Sequence, residues 1–196
     1  MNPLLLTDYY KTEHHKMYPE GTRMIYSNFT PRKSRNSEIK GVVVFGIQHF
    51  IKKYLIKAFN EEFFAQPLEK ILSEYKRHIN VDTKHIEDLH KLGYLPIEFK
   101  ALPEGSICPI GVPMLTIRNT HPDFGWLTNY LETLISCSLW QAITSATIAK
   151  EYKKLLTKYA IETTGTSEFV QWQGHDFSMR GISSVESAII SGMGHL

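Results

Sequence analysis

A chain of 196 residues, 42% hydrophobic and 21% charged, is long enough to bury a substantial core without cross-links. Its net charge of +2 is too small to argue for a nucleic-acid partner, and two cysteines, Cys108 and Cys137, make neither a disulfide framework nor a metal-binding pair. No apolar run approaches the roughly 20 residues of a membrane span, and the opening Met1–Leu6 meets Asp8 almost at once, unlike a secretion signal. A cytoplasmic protein with no nucleic-acid or membrane partner is expected.

Residues 24–30 alternate as a strand does, with Met24, Tyr26 and Asn28 facing one way and Ile25, Ser27 and Phe29 the other. Pro31 stops that strand, and Arg32, Lys33 and Arg35 then form a basic, polar loop. Residues 41–45 make a short β-branched run. Ile47, Phe50, Ile51, Tyr54, Leu55 and Phe59 follow at helical spacing, opposite Lys52, Lys53 and Lys57.

Two more helices are predicted over 61–79 and 82–92, the second capped by Gly93. From Leu95 the pattern turns to strands, at 96–102, near 106–108 and at 113–118. A long helical region is then expected, from Phe124 to Leu139 and, after a break near Trp140, from Ser145 to Glu162. Residues 163–167 are the candidate linker. A strand from about residue 170 and a helix over 184–195 complete the reading, and a strand-then-helix unit normally expects further units to pack on it.

Three polar segments stand out. The first is Thr7-Asp8-Tyr9-Tyr10-Lys11-Thr12-Glu13-His14 with Tyr18-Pro19. The second runs from Leu95-Pro96-Ile97-Glu98 through Pro103-Glu104-Gly105 to Trp126-Leu127-Thr128-Asn129 and Glu132-Thr133. The third is His175-Asp176-Phe177-Ser178-Met179-Arg180-Gly181, followed by Ser183-Ser184 and Glu186. In order and spacing they resemble the nicotinamide phosphoribosyltransferase family, bacterial-type members especially, because Ser178-Met179 replaces the Gly-Tyr pair of animal ones.

The resemblance implies an α+β chain with an N-terminal mixed domain built on an antiparallel sheet, residues 1–165. Residues 166–196 would then be the first strand and helix of an incomplete, TIM-like α/β barrel. It implies that nicotinamide and phosphoribosyl pyrophosphate are joined to give nicotinamide mononucleotide and pyrophosphate, with Mg²⁺ carried on the pyrophosphate. It also implies a homodimer with shared active sites.

By the same resemblance, Phe177 is one face of a nicotinamide sandwich and Tyr10, from the partner subunit, is the other. An aromatic face gives area and orientation without demanding charge. Arg180 holds the pyrophosphate, for which a rigid, permanently charged fork of donors is suited, and Arg32 reaches phosphate across the dimer interface. Asp8, Lys11, His175 and Asp176 support the site. On residue type alone, Phe177 reads as a core aromatic, Tyr10 as surface or packing, and the Arg32 loop as a solvated charge run. Arg180 reads equally as the ion-pair partner of Asp176 or Glu186.

The family's residue that separates amide from acid falls beyond residue 196, as does a histidine whose phosphorylation couples ATP hydrolysis to the reaction. No histidine pair has a zinc spacing. A nicotinate-using sibling enzyme and a non-catalytic chain that only dimerises or binds ligand are the alternatives.

Overall fold

The computed structural model describes all 196 residues and is a mixed α+β structure with antiparallel sheets. The chain opens with two 3₁₀ segments, Pro3–Leu5 and Tyr9–Lys16. Strands β1 (Tyr26–Phe29), β3 (Ile97–Ala101) and β5 (Leu115–Asn119) form one sheet in the order β1-β5-β3. Strands β2 (Gly41–Val43) and β4 (Ile107–Pro109) pair as a separate ribbon.

The predicted alternation holds in β1, where Tyr26 and Asn28 are exposed while Ser27 and Phe29 turn inward. In β5, Leu115, Ile117 and Asn119 are buried and Thr116 and Arg118 face out. Arg118 lies opposite Glu98 in the register and binds it through both guanidinium and carboxylate ends, at 2.7 and 3.0 Å.

Helix α1 (Ile47–Phe50) continues as a wide π-type helix through Ile51–Ala58 and Asn60–Phe64. Of the apolar stripe read at this position, Ile47, Phe50, Leu55 and Phe59 lie in the core and Ile51 and Tyr54 pack partly buried against it, with Phe63 joining the core from the next turn. The next helix starts later than its predicted bound of 61. Residues 60–64 belong to the preceding helix, and Pro67 separates it from α2 (Leu68–His78) by disfavouring the helical conformation at Gln66. Helix α3 (Lys84–Leu92) ends at Gly93 as expected.

Two expectations need correction. After α4 (Leu127–Tyr130), helix α5 runs unbroken from Glu132 to Thr164, with no interruption near Trp140. It contains neither Gly nor Pro, and a single aromatic does not outweigh thirty-three residues of unbroken i→i−4 hydrogen bonding. Its proximal half buries Leu134, Ile135, Leu139, Ala142, Ile143, Ala146 and Thr147; beyond that only Ala160 is buried.

The second correction concerns the strand expected from residue 170, the first strand of the barrel reading. Glu168–Trp172 is instead a 3₁₀ turn, with Val170 N–H donating to Ser167 O and Gln173 N–H to Val170 O. Neither sheet includes this segment, so its amides find local partners.

The predicted helix over 184–195 is present as α6 (Val185–His195), capped by Ser184. It lies along α5, where Gln141 exchanges hydrogen bonds with Ser187 and Ser145 meets Ser191, while Glu186 pairs with Lys53 of the π-type helix. At Gly194 the approach is so close that a Cβ would fall 2.9 Å from the Ala146 backbone nitrogen.

Gly46 joins β2 to α1 with φ +89°, and a Cβ there would lie 2.7 Å from Ala142 Cβ. Gly93 has a similar φ of +79° with no atom within 4 Å of its Cβ position. Alanine at Gly46 therefore adds a clash to backbone strain and is expected to cost about 2–4 kcal/mol, against about 1–2 kcal/mol at Gly93. Urea denaturation of the two variants measures the difference, and equal losses would contradict the packing account.

Candidate functional site

The first and second polar segments of the sequence meet in space. Thr7 Oγ1 donates to Tyr130 O at 2.9 Å, and Asp8 Oδ2 accepts from Thr133 Oγ1 at 2.7 Å. Lys11, only 4% exposed, donates to Asn129 Oδ1 at 2.6 Å and forms an ion pair with Glu132. The Asn129 amide nitrogen reaches His14 Nδ1 at 3.2 Å and Tyr18 OH at 3.3 Å. Polar residues that stand 111 to 125 positions apart thus dock the N-terminal turns onto α4 and the start of α5.

Beneath them runs an ordered hydroxyl chain. Tyr130 OH donates to Leu4 O at 2.7 Å, so the 3.0 Å contact with Tyr75 must be donated by Tyr75. Burial raises the pKa of both phenols above the ordinary value, and both stay protonated.

Tyr10 is 58% exposed at the surface of this network. Its ring lies 5.2 Å from that of His14 and 5.3 Å from Lys11 Nζ. Tyr9, the preceding residue, is 65% exposed and makes no comparable ring contact. Arg32 is exposed on the loop after β1, which Gly111 N–H anchors through Pro31 O at 2.8 Å.

The third segment forms a separate turn. Phe177 caps a three-residue 3₁₀ segment, Ser178–Arg180, and is 68% exposed, so it is neither a strand residue nor part of the core. The Arg180 guanidinium carbon lies 5.5 Å from the Phe177 ring centroid. Both acids offered as its ion-pair partners are engaged elsewhere. Asp176 Oδ1 accepts from Ser178 N–H at 2.8 Å, a bond that lowers its pKa, and Glu186 pairs with Lys53. His175 is exposed beside them.

Within one chain, neither Tyr10 nor Arg32 shares a hydrogen bond, ion pair or ring contact with Phe177 or Arg180. The structure therefore gathers Asp8, Tyr10 and Lys11 at one place and His175, Asp176, Phe177 and Arg180 at another. No three His, Cys, Asp or Glu side chains come together as metal ligands, and no helix is long and apolar enough to cross a membrane.

Residues 2–99 match the family model of the nicotinamide phosphoribosyltransferase N-terminal domain. The chain belongs to the nicotinamide phosphoribosyltransferase family. It is 50% identical over its full length to the nicotinamide phosphoribosyltransferase of Acinetobacter baylyi, covering 41% of that protein. It is 33% identical to the Mycoplasma genitalium enzyme of the same name over 98% of this chain and 47% of the relative. The chain thus spans less than half the length of either relative. A crystal structure of human nicotinic acid phosphoribosyltransferase superposes with a TM-score of 0.57 and 21% identity, over 76% of this chain and 28% of that one. That likeness is one of fold.

Sequence reasoning named Lys11 and Asp8 but missed the partners Asn129, Glu132 and Thr133 as anchors, although all three sit in the second polar segment. The available signal was their polarity at the foot of an otherwise core-facing helix. It also passed over His15 and His85, which stack at 3.8 Å between centroids, with His85 edge-on to Trp126 at 4.9 Å. Both ring nitrogens of His85 are buried without a partner, and burial, aided by His15, pushes its pKa down to about 3. His15 is lowered too, chiefly by burial, while Asp82 opposes both shifts and Lys16 adds to them.

For such a base the unfolded chain binds a proton below about pH 6.5 and the folded chain does not. Stability is therefore intact above that pH and falls as pH drops toward 3, by at most about 1.4 kcal/mol per pH unit. Melting temperature measured from pH 7.5 to 4.5 is expected to decline, and His85→Phe to flatten the decline. An equally steep fall in the variant would assign the acid sensitivity to other groups.

Proposed function

We propose that the chain is the N-terminal part of a nicotinamide phosphoribosyltransferase, which forms nicotinamide mononucleotide and pyrophosphate from nicotinamide and phosphoribosyl pyrophosphate. The observation that carries this reading is the turn bearing Phe177 and Arg180. It presents an exposed flat ring and an unpaired guanidinium 5.5 Å apart, in a chain of this family. The ring suits a neutral aromatic base and the guanidinium a phosphate.

In the proposed reaction the pyridine nitrogen of nicotinamide bonds to the ribose anomeric carbon as the bond from that carbon to pyrophosphate breaks. The nitrogen loses no proton, so no general base is needed. Arg180 steadies the departing pyrophosphate as negative charge gathers on it; Mg²⁺ would come with phosphoribosyl pyrophosphate and add to that charge stabilisation. Tyr10 and Arg32 complete the site from a second copy in a homodimer, consistent with their separation from Phe177 within one chain. Asp8 and Lys11 hold the Tyr10 turn, Asp176 holds the Phe177 turn through the Ser178 N–H, and His175 is assigned a supporting place beside it.

On this reading residues 1–165 are the N-terminal domain and residues 166–196 open a second, barrel domain. Selection of amide over acid, and any coupling to ATP, would rest with residues outside these 196. The relatives' names favour nicotinamide over nicotinate, and a cytoplasmic location fits the substrates.

Product formation from nicotinamide or nicotinic acid with phosphoribosyl pyrophosphate and Mg²⁺ tests the proposal, using the polypeptide of the whole reading frame beside residues 1–196 alone. Only the longer polypeptide is expected to turn over, with nicotinamide preferred. Phe177→Ala should raise the nicotinamide KM by about ten- to a hundredfold, the worth of one stacking face. Arg180→Ala should act mainly on phosphoribosyl pyrophosphate. Preference for nicotinic acid, or an indifferent Phe177→Ala, would overturn the assignment.

A further inference from the structure

We infer that Asn129 is a positioning residue for the Tyr10 ring, acting through the two side chains that flank it, Lys11 and His14. The inference rests on the proposed role of Tyr10 at the nicotinamide site and adds a residue that touches no substrate.

Asn129 has no freedom in how its amide is used. Lys11 Nζ can only donate, so the oxygen 2.6 Å from it must be Oδ1 and the opposite atom Nδ2. Nδ2 then donates its hydrogens to His14 Nδ1 and Tyr18 OH, which leaves the His14 proton on Nε2. One amide thereby fixes an ammonium and an imidazole on the same short turn. Those are the two groups in contact with the Tyr10 ring, at 5.3 and 5.2 Å to its centroid.

The Lys11 ammonium has three protons. Asn129 and Glu132 take two of them, and the remaining partner within reach is the face of Tyr10, a cation–π contact. A 3₁₀ turn has no extended hydrogen-bond ladder to hold it rigid, so an exposed side chain on it needs neighbours fixed from outside. Burying a lysine for this purpose is costly when an apolar residue would pack as well. Tyr9, one position earlier, receives no such support.

The test uses the polypeptide of the whole reading frame, with Asn129→Ala and Glu132→Gln, each alone and combined with Tyr10→Ala. The Glu132 side chain is 59% exposed, so Glu132→Gln is the variant that keeps the fold if Asn129→Ala does not. Each single variant is expected to raise the nicotinamide KM about five- to twentyfold, with kcat and the KM for phosphoribosyl pyrophosphate within about twofold of the parent. In the Tyr10→Ala background neither should raise it further, because residues acting as one unit are not additive.

A merely structural role predicts the opposite: effects that multiply with Tyr10→Ala and losses shared by both substrates. That result, or an unchanged nicotinamide KM in folded single variants, overturns the inference. If Tyr10→Ala itself leaves the nicotinamide KM unchanged, the inference falls with the role given to Tyr10. Phe177→Ala still reports separately on the family activity.

Discussion

A buried lysine ammonium cannot be left without oxygen partners, and for Lys11 those partners are Asn129 and Glu132, at the junction of α4 and α5. The first eighteen residues contain no strand and no α-helix, so their placement depends on this pairing and on the polar contacts that accompany it. Thr7 reaches the carbonyl of Tyr130, Asp8 the hydroxyl of Thr133, and Leu4 accepts from the Tyr130 phenol. Because each contact spans more than a hundred residues, the N-terminal turns and the root of α5 can only be correct together.

Helix α5 organises the remainder. Ile135, Leu139, Ala142 and Ala146 line the stripe that faces the core, Thr147 Oγ1 accepts the Val43 amide of β2, and Gln141 and Ser145 receive α6. The helix thus touches the N-terminal turns, the β2–β4 ribbon and the turn-and-helix segment that carries Phe177. The small residues Gly46, Ala142, Ala146 and Gly194 permit these approaches, since none adds bulk where backbones come close.

Much of the fold was legible in the sequence. The two-residue alternation of 26–29, the apolar spacing from Ile47 to Phe59 and the glycine after Leu92 each report a local constraint, and each element formed. The continuity of α5 departs from the break expected near Trp140, because that residue's exposed position on the helix asks nothing of the backbone. The strand expected at 170 failed for another reason: strand formation is a property of pairs, and no sheet of this chain adjoins the segment. The site followed the same division. Phe177 and Arg180 are named by the family resemblance, whereas residue type alone reads them as a core aromatic and an ion-pair partner. The partners of Lys11 are named by neither, because contacts over such separations leave no periodic trace.

The unequal burial along α5 also bears on how the molecule breathes. Its amides near Leu139 and Ile143 are roofed by core side chains, and their exchange with solvent deuterons requires opening much of the domain. Those near Lys153 and Lys158 lie on a helix turn flanked by water, where fraying from Thr164 suffices. One uninterrupted helix is therefore expected to exchange as two units, with the boundary inside the helix, just beyond the turns that clasp α6.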